Sequence, residues 1–377
     1  MNQGNRQYKI LHSLNAIRVC AEYCVVHCHV ALDGHDFLQN GRLASELMSF
    51  FFVLSGFMAM HTNMDTDFST FEAKTNYIYR RLHKVYPTYL IWMIIDIPGY
   101  LMQRWEFTNA CPLFWVSIAS QPIILHAWMG SWRVGTINTV CWYLCTLFWL
   151  WFIFPFINIK HLFAARPWAS ILCLYSISLL CFTLMSDFHQ MDVGQLPIMR
   201  LCEFMMGCCV AFTLDKPING WFVLILLLCF FAYCAATYSQ PDLWSIEDVP
   251  IQCKFWQQIR HQTITLNPTL LHSMFSFVFC LTIHWLAAKE NREEVGISML
   301  EWDFFKSLST FSLEIYLSHF TVAKILVSTF RQCGILNWWS TDTLILACYL
   351  IAYVYSKLVS SIMSYLMFSL SLTLPQS

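Results

Sequence analysis

Arg18 and His29 stand eleven positions apart in LNAIRVCAEYCVVHCHVAL, the first apolar stretch of the chain. At ~100° per residue, eleven steps make about three turns plus 20°, so both side chains share one helix face and sit roughly 16 Å apart along its axis. His27 falls near the opposite face, and Glu22, four steps from Arg18, falls close enough to be its ion-pair partner. An imidazole, with an unperturbed pKa of about 6.5, can take up a proton near neutral pH, whereas a guanidinium stays charged. Together they suit proton abstraction from a substrate that carries an anionic or carbonyl group. Ionisable groups inside a lipid-length apolar helix are costly and mark a functional site by default.

The elements that must hold this pair are membrane helices. The 377 residues are 57% hydrophobic, 17% aromatic and only 12% charged, with a mean hydropathy of +0.51; a soluble domain carries about 25% charged residues. The fold class expected is an all-α integral membrane protein of about ten transmembrane helices, multi-pass, with both termini cytoplasmic. Spans are read at 14–32, 43–62, 85–103, 140–159, 168–185, 197–214, 221–237, 266–287, 307–329 and 342–370. Segment 112–129 is apolar but broken by Pro122 and His126, and is read as re-entrant. This leaves Lys74, Arg80, Arg81, Lys84, Lys160, Arg166, Lys216, Lys289, Arg292 and Lys306, with Arg6 and Lys9, on the inner side. Arg42, Arg104, Arg133, Lys254, Arg260 and Arg331 remain outside, the bias that orients membrane proteins.

One domain, 1–377, is expected, with 1–13 as an N-terminal cytoplasmic segment and 371–377 as a short tail. The N-terminal segment MNQGNRQYKI reads as part of a retained anchor rather than a cleaved signal. A net charge of -1 gives no basic face for nucleic acid. The 17 cysteines lie mostly in apolar runs without a CxxC pair and read as small core residues; Cys111, Cys253 and Cys333 lie in or near polar connections.

Other chemistry-bearing residues are fewer. Arg80, Arg81 and Lys84 precede the third span, where cations suit phosphate groups but also serve simply as a topology signal. Ser55 in FFVLSGF has no His or acid at a readable spacing and reads, with Gly56, as a small-residue helix contact. Arg200 and Glu203, three apart on one helix, read as an ion pair. Glu314 and His319, five apart, point to different faces. His27, Cys28 and His29 do not offer tetrahedral ligation on one face, so no metal is expected.

In order, these residues resemble the acyltransferase type 3 family of multi-pass membrane O-acyltransferases. Its marks are an Arg and a His separated by ten residues in the first helix, FFxxSGF in the second and a basic RxxR before a Pro in the third. Here they read Arg18 to His29, Phe51 to Phe57, and Arg81 to Lys84 before Pro87. Further matches are LNAIR at 14–18, the Trp-to-Pro segment WYLCTLFWLWFIFP beginning at Trp142, RLCEFMMG with Arg200 and Glu203, and FSLEIYLSHF ending near His319. The chain departs from the pattern at Lys84, where a point charge replaces a planar fork, and at Leu147 and Phe148, where many members have acids.

The resemblance implies transfer of an acyl group, commonly acetyl, from acyl-CoA to a hydroxyl of a carbohydrate, lipid or small-molecule acceptor. It implies His29 as general base and Arg18 beside it, with Arg80, Arg81, Lys84 and Ser55 as candidates for the acyl-CoA site. His319, Trp142, Arg200 and Glu203 are secondary candidates. Acyl-CoA is a co-substrate, and no permanently bound cofactor is expected. The lipid bilayer is the remaining partner. A multi-pass transporter without covalent chemistry is the rival reading, motivated by the buried Arg18, Glu22, Arg200 and Glu203.

Overall fold

The computed structural model describes residues 11–30, 41–110, 113–129, 137–138, 140–185, 193–238, 273–292, 303–334 and 341–373. Cys111, Cys253, Arg6, Lys9, Arg133, Lys254, Arg260 and the first part of the 266–287 span lie outside the described residues. Among the described residues every regular element is helical. They are α1 (His12–Val30), α2 (Gly41–His61), α3 (Phe71–Ala110), α4 (Leu113–Ser120), α5 (Cys141–Ile153), α6 (Ile159–Phe163) and α7 (Pro167–Leu184). They continue with α8 (Pro197–Val210), α9 (Gly220–Tyr238), α10 (Ser276–Asn291), α11 (Asp303–Thr310), α12 (Ser312–Gln332) and α13 (Thr341–Thr373). Each expected span falls on one or two of them.

Among the described residues only α7 is by itself long and apolar enough to cross a bilayer, and four shorter apolar stretches lie in α2, α9, α13 and the run from Cys141 to Phe156. The polar residues inside α1, α8 and α12 lower their hydropathy, because those helices carry the polar interior of the bundle. α3 is longer than its apolar span: it runs unbroken for 40 residues through Pro87 and Pro98. The basic cluster Arg80, Arg81 and Lys84 therefore sits on helix rather than in a loop.

Helix ends follow local chemistry. Pro167 and Pro197 open α7 and α8, where a missing N–H costs nothing. The first turn of α1 is closed from elsewhere: the Glu290 carboxylate, at the end of α10, accepts the backbone N–H of His12 (2.6 Å) and Ser13 (3.1 Å) and the Ser13 hydroxyl.

Side-chain contacts give the relative helix directions. α1 and the α11–α12 pair run parallel, since Arg18 meets Ser309, Glu22 meets Ser312 and His29 meets His319. α2 runs parallel to α8, with Ser49 on Arg200 and Gly56 on Cys208. α12 and α13 are antiparallel, since His319 meets Cys348 while Ser307, just ahead of α12, meets Tyr353. These are the directions that ten alternating crossings require if 112–129 does not cross. α4, with 8 residues, rises only about 12 Å against a hydrocarbon core of about 30 Å. Its chain then turns through Ile124, whose φ of 60° is rare for a β-branched residue. Four groups pin that turn: Tyr86 and Tyr89 donate to the carbonyls of Pro122 and Gln121, both at 2.7 Å, and Trp149 Nε1 (2.8 Å) and Cys145 donate to that of Ile124.

α2 and α8 form the tightest seam. A Cβ on Gly56 would overlap the Phe204 carbonyl, and one on Gly207 would overlap the Val53 carbonyl. The seam also holds a buried charge cluster. Arg200 pairs with Glu203 at 2.9 Å, donates to Gly194 O at 2.6 Å and Ser49 Oγ at 3.1 Å, and lies over the rings of Phe52 and Phe182. Ser276 donates to Glu203 at 3.2 Å. Arg200 and Glu203 thus hold α2, α8 and α10 together. Replacing Arg200 by Met is expected to destabilise the fold by about 3–5 kcal/mol, because Glu203 stays buried without its cation. Thermal unfolding of the purified protein measures this, and the R200M/E203Q double variant should recover part of the loss.

Candidate active site

A polar column runs between α1, α5 and α12. It starts where α11 ends: the helix breaks at Phe311, leaving carbonyls that a continuous helix would have bonded. Arg18 donates to one of them, Ser309 O, at 2.6 Å. One turn along α1, Glu22 accepts from the Ser312 hydroxyl at 2.5 Å. The expected Arg18–Glu22 ion pair is therefore replaced by two separate bonds to the two sides of the break, although the charges still act on each other. Each side chain thereby satisfies a polar group that the break exposes in an apolar interior, where an unpaired carbonyl or hydroxyl is costly.

Glu314 begins the next turn of α12 and lies within electrostatic reach of both Arg18 and Lys84. Lys84, exposed on α3, thus lies near the end of the column where Arg18 sits. Arg80 is exposed, and its Nε donates to Asn76 O at 3.3 Å. Arg81 is half-buried and turns toward α5, its guanidinium lying 5.5 Å from the ring centres of both Tyr77 and Trp151. The three cations of one short motif thus face three surroundings.

Higher in the column, the Tyr143 ring packs on Tyr316 at 5.5 Å, and Tyr316 on His319 at 5.7 Å. Ser55 reaches Tyr143 OH at 3.4 Å, a long contact. Tyr316 OH donates to Val140 O at 3.1 Å, and Asn138 Nδ2 donates to Leu317 O at 2.9 Å, which docks the start of α5 on α12. Trp142 packs on Phe52 at 6.4 Å and Tyr143 at 6.3 Å and stands behind the column rather than in it.

The column ends at two histidines. His29 Nδ1 and His319 Nε2 are 2.9 Å apart, and the rings are nearly parallel, 6° between planes. His319 is fully buried, whereas His29 is exposed at its rim and edges onto Phe320. His319 Nδ1 points back at the Ile315 and Tyr316 carbonyls of its own helix without reaching hydrogen-bond geometry. The tautomer that fits places a proton on His319 Nδ1, leaves its Nε2 as acceptor, and has His29 Nδ1–H donate to it. His29 Nε2 is then a lone pair facing outward. His27 lies instead on Tyr23, ring centres 6.2 Å apart. Among the described residues no group of three or more metal-ligating side chains converges.

The structure therefore brings together Arg18, His29, His319 and Ser55, with Lys84 at the lower end, and leaves Arg200 and Glu203 in the α2–α8 seam. Sequence reasoning missed Tyr143, Tyr316 and Ser312. Tyr316 was within its reach, three residues before His319 and so on the same helix face. Tyr143 and Ser312 carry no such signal, since neither spacing nor type separates them from other polar residues of apolar helices.

No curated protein and no solved structure matches the chain. A family model described as an acyltransferase domain matches residues 11–361, nearly the whole chain. Its members are generally membrane-embedded. The chain belongs to the acyltransferase type 3 family and is an acyltransferase.

Proposed function

We propose that this enzyme spans the membrane about ten times with both termini in the cytoplasm, and moves an acyl group, acetyl foremost, from acyl-CoA to a hydroxyl of a carbohydrate, lipid or small molecule. The observation that carries the reading is the His29–His319 pair at the exposed end of a column that begins with Arg18 and Lys84. His29 Nε2 takes the acceptor's hydroxyl proton as that oxygen attacks the thioester carbonyl carbon. The C–S bond breaks, the ester forms, and the proton passes to the departing thiolate to give free CoA. General-base assistance of this kind is worth about 10²–10⁴ in rate. Arg18 and Lys84 provide fixed positive charge for the donor's phosphates at the cytoplasmic end, with Arg80 adding to the field at the surface. Glu314 beside them keeps that end from being uniformly cationic.

His319 touches the base rather than the substrate and acts as a positioning residue. His319→Gln, which can still present an acceptor to His29 Nδ1–H, is expected to lower turnover by about tenfold, and His319→Leu by a further tenfold. A structural role alone would leave the Gln and Leu variants equally impaired. The reading as a whole is tested with membranes containing the protein and acetyl-CoA labelled in the acetyl group. Transfer of label into a covalent, base-labile ester supports it. Uptake of substrate with no covalent product would support transport instead.

A further inference from the structure

A cavity lies away from the histidine column, between α3, the pinned turn after α4, and α5. It measures about 160 Å³, less than the ~300–1,000 Å³ of a site that encloses a small molecule, so it can seat one stretch of an extended ligand rather than engulf a whole one. Its walls are Ile78, Leu82, Ile123, Phe148 and Phe152, and Arg81 is its cation. Ile123 and Phe152 are exposed, so the cavity opens sideways at the bundle's surface rather than inward to the column. Arg81 makes no ion pair among the described residues and is held in place by the faces of Tyr77 and Trp151. Ile124, next to Ile123, holds a left-handed φ of 60°, a conformation that persists only where the surroundings over-determine it. Here the hydrogen bonds from Tyr86, Tyr89 and Trp149 do so.

We infer that this groove binds an anionic glycerophospholipid, with its phosphate on Arg81 and the start of one acyl chain along Leu82, Ile123 and Phe148. Charge complementarity selects the headgroup: a guanidinium without a carboxylate partner sits at the basic end of the bundle, where the anionic cytoplasmic leaflet would lie. The walls select the chain. The arm of a coenzyme A donor carries two amides, which would be buried against hydrocarbon with no partner, whereas a lipid chain has no polar group to satisfy. Lipid seated here would brace the turn after α4 against α3 and α5. The inference rests on the membrane placement proposed above, but not on the acyl-transfer chemistry.

The test uses the full chain reconstituted in nanodiscs of phosphatidylcholine and phosphatidylglycerol at four to one, then released for native mass spectrometry. Wild type is expected to retain phosphatidylglycerol about tenfold over its share of the bilayer, and Arg81→Gln to bring that ratio close to one. Equal retention of the two lipids by wild type would overturn the proposal without recourse to any variant. Phosphatidylglycerol with a diazirine in its acyl chain is expected to label peptides containing Ile123, Phe148 and Phe152 above those of α7. Labelling of α7 alone, or to the same extent, would overturn the lipid site and leave the membrane reading intact. Absence of label from α7 and the groove alike would overturn both.

Discussion

His29→Ala is expected to lower acetyl transfer by about 10²–10⁴-fold, the contribution of a positioned general base, or roughly 3–5 kcal/mol of transition-state stabilisation. The KM for acetyl-CoA should move little, because the donor's phosphates are proposed to lie some three turns away, near Arg18 and Lys84. Initial rates with labelled acetyl-CoA, compared with size-exclusion profiles, separate loss of chemistry from loss of fold. His27→Ala is the internal comparison: its ring packs on Tyr23, away from His319, and turnover within about threefold of wild type is expected. A folded His29→Ala protein with full turnover would remove the proposed base.

Gly207→Ala is expected to abolish the folded protein. The added methyl would overlap the Val53 carbonyl and lie 2.8 Å from the Phe57 amide nitrogen, and both are backbone atoms of a helix that cannot swing aside as a side-chain end can. Ordinary overpacking costs about 1–3 kcal/mol when side chains can shift. Here α2 and α8 would have to separate, and the separation would strip Arg200 from Ser49 and open the buried cluster around Glu203. Small residues are what permit close backbone approach between membrane helices. Gly99→Ala is the contrasting case, since nothing lies within 4 Å of its Cβ position; it should leave expression and the thermal midpoint unchanged or raise the latter slightly, as Ala favours helix by up to ~1 kcal/mol. Monodisperse yield after detergent extraction reads both outcomes.

The two predictions draw on different layers of legibility. That Arg18 and His29 share a face, and that His27 does not, followed from the helical period, because within one helix the direction of a side chain is set by 3.6 residues per turn and by nothing further away. The all-helical class followed from apolar runs too long for strands, and the end of the helix in 112–129 at Ser120 from Pro122, which interrupts the apolar run. The ordered motifs from Arg18 to His319 carried the family. The small residues of SGF were legible as a close contact, though it is Gly56 that meets α8, while Ser55 turns the other way, to Tyr143.

Periodicity said nothing about partners across helices. His29 meets His319 at a separation of 290 residues, and Tyr143 joins Tyr316 and that pair only because α12 packs on α1 while the start of α5 docks on α12. Arg18 and Glu22 show where local reasoning stops: their spacing puts them in reach of each other, yet the break at Phe311 offers an orphan carbonyl and a hydroxyl, and each side chain bonds to one of them. The basic motif shows the same limit, since Arg81 and Lys84, one turn apart, are drawn to different neighbours, one to Tyr77 and Trp151, the other toward Glu314. The sequence by itself determined the helices, the faces they present and the reaction class. Only the tertiary structure decided which faces meet, because contacts between distant segments depend on the packing of whole helices and on where their backbones leave groups unsatisfied.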